Sequence, residues 1–215
     1  EDWTDLDYLK APVLFKIKKV ARYCKLYGVS RTLVKIRGQV HSNKVYKELP
    51  KIDEAAIDTG TVGIIGCGNY AFSNIAYYLR KKRGRVVRGV MDTDINKAAS
   101  LFESYGAAYY TGDAAQITGD PAIDLVYIAS NHSTHAEYAI DALNQGKSVY
   151  IEKPHVVRED QLTRLIEAMN RSEGRVFLGF NRPGSGLGTL VREYLEKESG
   201  PGMYSWFIAG HAIDP

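Results

Sequence analysis

Five short apolar runs alternate with helix-like stretches along the chain from residue 61 onward. The runs are rich in Val, Ile, Leu and Tyr, and they occupy residues 61–66, 85–92, 124–130, 148–152 and 175–180. The helix-like stretches between them occupy residues 70–82, 95–105, 132–145 and 159–172. Strands this apolar are typical of a parallel sheet buried on both faces, with helices as right-handed crossovers. The pattern predicts an α/β fold, a doubly wound parallel sheet of the Rossmann type, which binds ligands at the carboxyl ends of its strands.

A glycine-rich loop, GCGNYA at residues 66–71, follows the first apolar run without a break. Gly66 permits a tight turn, Gly68 lets the backbone approach a pyrophosphate, and the helix that begins here offers free N–H groups. The second run ends at Asp92, whose carboxylate can accept hydrogen bonds from ribose hydroxyls. Strand, loop, helix, strand and acid in this order predict a dinucleotide site.

The residues around Asp92 also bear on which nucleotide is bound. Asp92 is followed by Thr93 and Asp94 rather than by an arginine, and two acids repel a 2′-phosphate. This favours NAD over NADP. Arg88 and Lys97 leave NADP open as an alternative, through a rearranged phosphate site. S-adenosylmethionine, which also carries a ribose, would suit the same loop and acid.

A polar segment, SNHSTHAEYA, follows the run at 124–130 and opens the next helix. Because it lies on the same strand-end rim as the glycine loop, it is predicted to line the cofactor cleft. Ser133 or Thr134 is expected to cap the helix. The two histidines, His132 and His135, have no third ligand of matching placement, so no metal site is predicted.

The positive charge of the chain lies in its first part. Residues 1–58 hold 12 Lys and Arg against 8 Asp and Glu, and the remaining residues hold 16 against 17. The main domain therefore has no basic excess of its own, and nucleic-acid binding is not expected. Two helices are predicted in this basic part: the first lies within residues 11–29 and ends at Gly28, and the second is capped by Ser30 and ends at Gly38. Residues 43–60 are interpreted as a linker.

The first of these helices places lysines and an arginine between apolar positions at helical spacing. A basic amphipathic helix of this kind can lie on an anionic membrane or dock on a partner. The favoured interpretation is a helical extension packed on the body with its lysines solvated. No run of the chain approaches the roughly 18 apolar residues of a membrane span.

Cysteine usage and the first residues bear on the compartment. The chain has only Cys24 and Cys67, too few for a disulfide framework. Residues 1–12 lack the basic start and apolar middle of a signal peptide. These features predict a cytoplasmic protein. The chain begins without methionine and ends at HAIDP, which is typical of a fragment.

A strand-forming run ends in a glutamate, a lysine and a proline in SVYIEKPHVV, residues 148–157. Pro154 stops the strand and leaves Glu152 and Lys153 side by side at its end. Taken alone, these residues predict a strand end whose charges are solvated. The order of strands and helices, however, places this end on the cofactor rim, which favours a functional pair.

These segments together resemble the Gfo/Idh/MocA family, the glucose-fructose oxidoreductase and inositol dehydrogenase group of nicotinamide-dependent enzymes. The matching text is VGIIGCGNYA, the acid of VMDTD, DLVYIASNHSTHAEYAIDALNQGKSVYIEKP and LGFNRP. The resemblance implies that the dinucleotide is held by Gly66, Gly68, Asn69, Tyr70 and Asp92. It implies that the nicotinamide half is approached by Ser130, Asn131, His132 and His135. It also implies that Glu152 helps to hold the nicotinamide ribose and that Lys153 reaches the reacting carbon.

The resemblance further implies hydride transfer between NAD and a hydroxyl-bearing carbon of a sugar, sugar nucleotide or polyol. Lys153 is the expected catalytic residue, and Asn181 and Arg182 are expected to touch cofactor or substrate. The full-length protein is expected to be a homo-oligomer. The alternative is a dinucleotide-binding sensor or scaffold without catalysis.

The chain also departs from the family's pattern. The family often has Thr-Pro-Asn where residues 130–132 read Ser-Asn-His, and a small or apolar residue where this chain has His155. Three parts are predicted: a basic extension and linker at 1–58, a Rossmann domain at 59–183, and the start of a truncated α+β substrate domain at 184–215. The last part would hold a connecting helix and, at 200–210, one strand.

Overall fold

The computed structural model describes residues 12–52, 60–180, 183–197 and 200. The chain divides into two compact units, residues 33–180 and the two chain ends, 1–32 with 181–215. The predicted domain boundaries at 58 and 183 stay predictions. The predicted strand at 200–210 lies outside the described residues except for its first glycine. Within the described residues, no helix is both long and apolar enough to cross a membrane.

A six-stranded parallel sheet forms the body of the 33–180 unit. Its strands are β1 Val62–Ile65, β2 Val87–Met91, β3 Tyr109–Thr111, β4 Leu125–Ile128, β5 Ser148–Ile151 and β6 Val176–Leu178. They lie in the order β3-β2-β1-β4-β5-β6, and every neighbouring pair is parallel. The order reverses between β1 and β4, the switch point at which such sheets bind ligands. The predicted doubly wound fold is confirmed.

Helices cover both faces of this sheet. They are the π-helical turn Ala71–Ala76 that continues into α3 Tyr77–Arg83, then α4 Ile95–Tyr105, α5 Ala114–Thr118, the 3₁₀ turn His132–Thr134, α6 His135–Asn144 and α7 Glu159–Arg171. Ile64 and Val90 pack with α3 and α4 on one face, while Ile128 and Val149 pack with α6 and α7 on the other. Apolar residues on both faces follow from strands that are buried on both sides.

The sequence analysis missed β3 and α5. The strand has only three residues, two of them the tyrosines Tyr109 and Tyr110, so it presents no apolar run. Its boundaries are set by local signals instead. Gly106, with φ of 67°, ends α4, and the Asp113 side chain accepts a hydrogen bond from the Ala115 N–H at the start of α5.

Three further helices precede and follow the sheet: α1 Val13–Tyr27, α2 Val29–Ser42 and α8 Gly186–Leu195. As predicted, α1 ends at Gly28, which has φ of 84° and donates its N–H to the Cys24 carbonyl at 2.8 Å. The prediction that Gly38 ends the second helix is wrong, because α2 runs through Gly38 to Ser42. A side chain at this buried glycine would overlap Asn69, so Gly38 serves close packing rather than helix termination.

The described part of the predicted linker is packed on the sheet unit. The Tyr46 N–H donates to Asn96 Oδ1 at 2.9 Å, and Lys44 Nζ lies 2.9 Å from Glu103 Oε2. The Tyr110 hydroxyl donates to the Pro50 carbonyl at 2.8 Å. Residues 43–50 are therefore held along α4 and β3 by hydrogen bonds, which a loose linker would lack.

Candidate functional site

Four strand ends lie level along one edge of the sheet. Met91, Ile65, Ile128 and Ile151 pair with one another across β2, β1, β4 and β5. The residues that follow them in the chain therefore share one rim, and they are Asp92, Gly66, Ala129 and Glu152. The register brings the predicted adenosine acid, the glycine loop and the EKP motif to this single rim.

Gly66 is required by its backbone and by its neighbours. Its φ is 93°, and a Cβ there would lie 2.5 Å from the Ala129 carbonyl group and the Ser130 nitrogen. The glycine therefore lets the end of β1 touch the end of β4. At Gly68 a Cβ would meet no atom within 4 Å among the described residues. The loop thus presents open space beside Gly68, which fits the approach of a pyrophosphate.

The Asp92 carboxylate joins the glycine loop to the end of β2. Its Oδ2 accepts from the Cys67 N–H at 2.7 Å, and its Oδ1 accepts from the Asp94 N–H at 2.9 Å. Each carboxylate oxygen can accept more than one hydrogen bond, so both retain capacity for ribose hydroxyls. The position and chemistry of Asp92 fit the adenosine side of a dinucleotide.

The side chains of Asn69 and Tyr70 differ in burial. The Tyr70 side chain is exposed at the surface. Asn69 Oδ1 is buried, has no hydrogen-bond partner among the described residues, and faces Gly38 in α2. The Asn69 side chain is therefore packed between the loop and α2, and only the Asn69 backbone is in a position to contact a ligand at the loop.

The polar segment after β4 contains two caps. Thr134, one of the two predicted alternatives, occupies the N-cap position of α6, but its side chain makes no capping hydrogen bond. Asn131 Oδ1 accepts from the Ser133 N–H at 3.0 Å and caps the preceding 3₁₀ turn. Asn131 and His132 are exposed on the rim. Ser130 Oγ and Thr134 Oγ1 are 2.8 Å apart, so the start of the segment is bonded to its own helix.

His135 is buried and bridges two loops of the rim. It is 1% exposed, with Nδ1 2.8 Å from the Pro154 carbonyl oxygen and Nε2 3.1 Å from the Ser130 carbonyl oxygen. The ring therefore links the segment after β4 to the segment after β5. Any effect of His135 on a cofactor would pass through these two backbone groups.

Glu152 is held inside the rim rather than solvated. It is 7% exposed, the Tyr150 hydroxyl donates to its Oε1 at 3.3 Å, and the Lys153 N–H donates to its Oε2 at 3.4 Å. Gly179, which follows β6, lies against it, since a Cβ there would be 3.0 Å from the Glu152 Cα. Burial and the Glu152 carboxylate raise the pKa of Tyr150, so its hydroxyl stays a donor at neutral pH.

Lys153 and His155 lie beside this carboxylate in different settings. Lys153 is exposed, and its peptide bond to Pro154 is cis. The His155 ring is half-buried and edge-on to Phe180 at 4.7 Å between centroids. Burial lowers the pKa of His155, and the nearby His135 lowers it further. Asn181 and Arg182 lie outside the described residues.

The sequence analysis did not assign to the rim four residues that shape it. Tyr150 and Gly179 support Glu152, while Gly38 and His41 contact the glycine loop from α2. Tyr150 had a usable signal, because residues i and i+2 of a strand share a face. His41 had none, since it lies 26 residues before the Cys67 carbonyl that it contacts.

A glycine loop, a carboxylate after the second strand and convergent strand-end loops at the switch point define a dinucleotide-binding Rossmann domain. The family model for the Gfo/Idh/MocA group, described as "Oxidoreductase family, NAD-binding Rossmann fold", matches residues 61–180. The chain belongs to this family of NAD-binding oxidoreductases.

Known proteins resemble a part of the chain. It is 35% identical over 136 residues to Oxidoreductase P35 of Formosa agariphila, covering 62% of this chain and 42% of that protein. It is 34% identical over 125 residues to the inositol 2-dehydrogenase of Burkholderia ambifaria, covering 57% of this chain and 37% of that protein. The crystal structure of a probable dehydrogenase from Thermotoga maritima superposes with a TM-score of 0.57 at 24% identity, covering 63% of this chain and 40% of that protein. The chain thus spans about two fifths of the length of these relatives.

Proposed function

We propose that this chain is the dinucleotide-binding part of an NAD-dependent oxidoreductase that transfers hydride at a hydroxyl-bearing carbon of a sugar, sugar nucleotide or polyol. The observation that carries the proposal is the pair at the end of β5. A buried, hydrogen-bonded Glu152 stands next to an exposed Lys153, on the same rim as the glycine loop. The similarity to an inositol 2-dehydrogenase supports the class of substrate.

The proposed cofactor contacts divide between the two sides of the rim. Gly66 and Gly68 would hold the pyrophosphate and Asp92 the adenosine ribose, with Asn69 and Tyr70 contributing from the start of the helix. On the other side, Glu152 would hold the nicotinamide ribose. Ser130, Asn131 and His132 would line the cleft between the two sides, and Asn181 and Arg182 are retained as proposed contacts. His135 would act by positioning Ser130 and Pro154.

NAD suits the charges near Asp92 better than NADP does. Two acids, Asp92 and Asp94, stand where a 2′-phosphate would come close. The two cations that kept NADP open are engaged elsewhere: Lys97 Nζ is 3.4 Å from Asp94, and Arg88 Nε is 2.7 Å from Asp120. NADP would have to recruit one of them away from its carboxylate.

The bound nicotinamide supplies or accepts the hydride, and the chain's residues orient the reactants. Lys153 would donate a hydrogen bond to the substrate oxygen that gains or loses carbonyl character. Glu152, fixed by Tyr150 and by the Lys153 N–H, would accept from a ribose hydroxyl. Burial of Glu152 among these donors keeps its position fixed, which orients the cofactor relative to Lys153.

The role of Lys153 is tested by Lys153→Met in the whole protein. Turnover should fall by about 100-fold or more, the usual cost of losing a proton-handling group, while folding is retained because the side chain is exposed. Lys82→Met, at an exposed position in the last turn of α3, is the matched control and should turn over normally. Unchanged turnover in Lys153→Met at unchanged NADH affinity would remove Lys153 from the chemistry.

The alternative function is a dinucleotide-binding sensor or scaffold. It draws on the parallel sheet and the open space beside Gly68, which suit binding of a dinucleotide with or without catalysis. NADH binding by the whole protein, without turnover of any sugar or polyol in a substrate screen, would support the sensor. Turnover of one such substrate would support the enzyme.

The remaining proposals concern the setting of the protein. A cytoplasmic location suits Cys24 and Cys67, which are both free thiols. A homo-oligomer is proposed for the whole protein and is tested by light scattering during size-exclusion chromatography. Membrane association of the basic first part is the less favoured proposal. Sedimentation with anionic vesicles at two salt concentrations tests it, since electrostatic binding weakens with salt.

A further inference from the structure

A segment that precedes the family-matched region packs directly on the glycine loop. The segment is residues 33–46, which comprise α2 from residue 33 to its end at Ser42 and the turn after it, and it is called the clasp below. Gly38 and His41 lie three residues apart, on one face of the helix, and both are buried, whereas the neighbouring Gln39 and Val40 are exposed. The clasp therefore has one face committed to the sheet unit.

Gly38 lets the helix of the clasp pack closely on the loop. A Cβ at this position would overlap Asn69 Oδ1 and would stand 3.3 Å from the Asn69 Cγ. Glycine inside a helix is destabilising relative to alanine, by about 1 kcal/mol in general. A glycine kept here is explained by the contact with Asn69, the fourth residue of the GCGNYA loop.

His41 forms the polar contact between the clasp and the loop. It is 2% exposed, its Nε2 lies 2.6 Å from the Cys67 carbonyl oxygen, and its ring stacks on Phe72 at 4.3 Å between centroids. A carbonyl oxygen only accepts, so Nε2 must donate. The His41 ring therefore holds the peptide group between Cys67 and Gly68 in the glycine loop.

The end of the clasp is fastened to the helix that follows Asp92. The Tyr46 N–H donates to Asn96 Oδ1, the Tyr46 hydroxyl donates to Glu103, and Lys44 Nζ pairs with Glu103. Both anchor residues belong to α4, which begins three residues after Asp92. The clasp thus joins the glycine loop to the element next to the adenosine acid.

We propose that the clasp is a positioning element of the dinucleotide site, in which His41 holds the Cys67 carbonyl and so keeps the following loop N–H groups in the orientation that accepts a pyrophosphate. The inference rests on the proposed cofactor binding. A loop that is already ordered loses less entropy when the cofactor binds, so removal of the contact weakens affinity.

The test measures NADH binding by fluorescence titration of this chain and of three variants. His41→Leu removes the donor at similar size, and the dissociation constant should rise about tenfold, the effect of one buried hydrogen bond. His41→Gln keeps a donor and should recover most of the affinity. Ile117→Val, in the core of α5 on the other face of the sheet, serves as the control for destabilisation alone and should bind NADH as the natural chain does.

A fourth variant, Gly38→Ala, tests the proposal even if His41→Leu does not fold. Gly38→Ala should favour the helix by propensity, but its Cβ would overlap the tip of the Asn69 side chain, so Asn69 or the clasp has to shift. The proposal expects weaker NADH binding, whereas helix propensity alone expects no loss of binding. The dissociation constant of each variant decides between these outcomes.

The results separate this inference from the proposed function. If the natural chain is folded and binds no NADH, the proposed function fails. If the natural chain binds NADH and both His41→Leu and Gly38→Ala bind it equally well, the clasp is only structural and the inference is overturned. Weaker binding in His41→Leu with recovery in His41→Gln supports it.

Discussion

The β1–β2 side of the rim is closed by contacts within the chain, whereas the β5–β6 side ends in exposed side chains. On the first side, Asp92 bonds the Cys67 and Asp94 N–H groups, and His41 covers the loop. On the second, Glu152 is buried, but Lys153 and Phe180 are exposed. The contrast fits the proposed assignment, in which the first side holds the adenosine half of the dinucleotide and the second leaves Lys153 accessible for a reactant.

The largest expected effect separates two glycines of the same loop. Gly66→Ala should lower the melting temperature strongly or prevent folding, because its positive φ and its contact with residues 129 and 130 exclude a Cβ. Gly68→Ala should keep the melting temperature, since its Cβ would meet open space, but should weaken NADH binding. Thermal unfolding and NADH titration are measured on both.

Equal melting temperatures for Gly66→Ala and the natural chain would contradict the close contact between the ends of β1 and β4. Unchanged NADH affinity in Gly68→Ala would contradict the placement of the pyrophosphate beside Gly68. The pair therefore distinguishes a residue that builds the adenosine side from one that faces the cofactor.

A smaller effect is expected from pH on the adenosine side. Burial lowers the pKa of His41 from its ordinary value of 6.5, against smaller opposing effects of the Cys67 carbonyl and Asp92 and with further lowering by Lys97 and Lys44. In the unfolded chain the His41 ring takes up a proton near pH 6.5, whereas in the folded chain it takes up that proton only at a lower pH. The contribution of His41 to stability is therefore present above that pH and is lost as pH falls toward the folded-state pKa.

Thermal unfolding between about pH 8 and about pH 5.5 measures this effect. The melting temperature of the natural chain should fall on acidification, and the fall should be smaller in His41→Gln, which has no ring to protonate. Burial also lowers the pKa of His155, so His155→Gln measures the share from the nicotinamide side. An identical fall in the natural chain and His41→Gln would exclude His41 as the source.

The sequence predicted the parts of the fold that carry strong local signals. The apolar runs and the GCGNYA loop predicted β1, β2, β4, β5 and β6 and placed Asp92 and Glu152 at strand ends, because strands buried on both faces read as nearly continuous apolar runs. Two tyrosines in a three-residue strand hid β3. Gly38 was taken for a helix end because an isolated glycine has the same appearance in a cap and at a packing contact.

The contacts that support the site could not be predicted from local sequence patterns. His41 meets Cys67 across 26 residues, and His135 meets Pro154 across 19. Such pairs depend on where the crossovers bring each element, which spacing along the chain does not encode. Tyr150 and Glu152 are the exception, since strand alternation alone places both on one face.

Fluorescence titration of the folded chain with NADH and with NADPH, beside Asp92→Asn, tests the central claim most directly. Saturable NADH binding, tighter than NADPH binding and weakened about tenfold or more by Asp92→Asn, is the expected result, because the amide cannot accept as strongly as the carboxylate does. A folded chain that binds neither nucleotide, or that binds NADH equally well after Asp92→Asn, would contradict the assignment of this rim as the dinucleotide site.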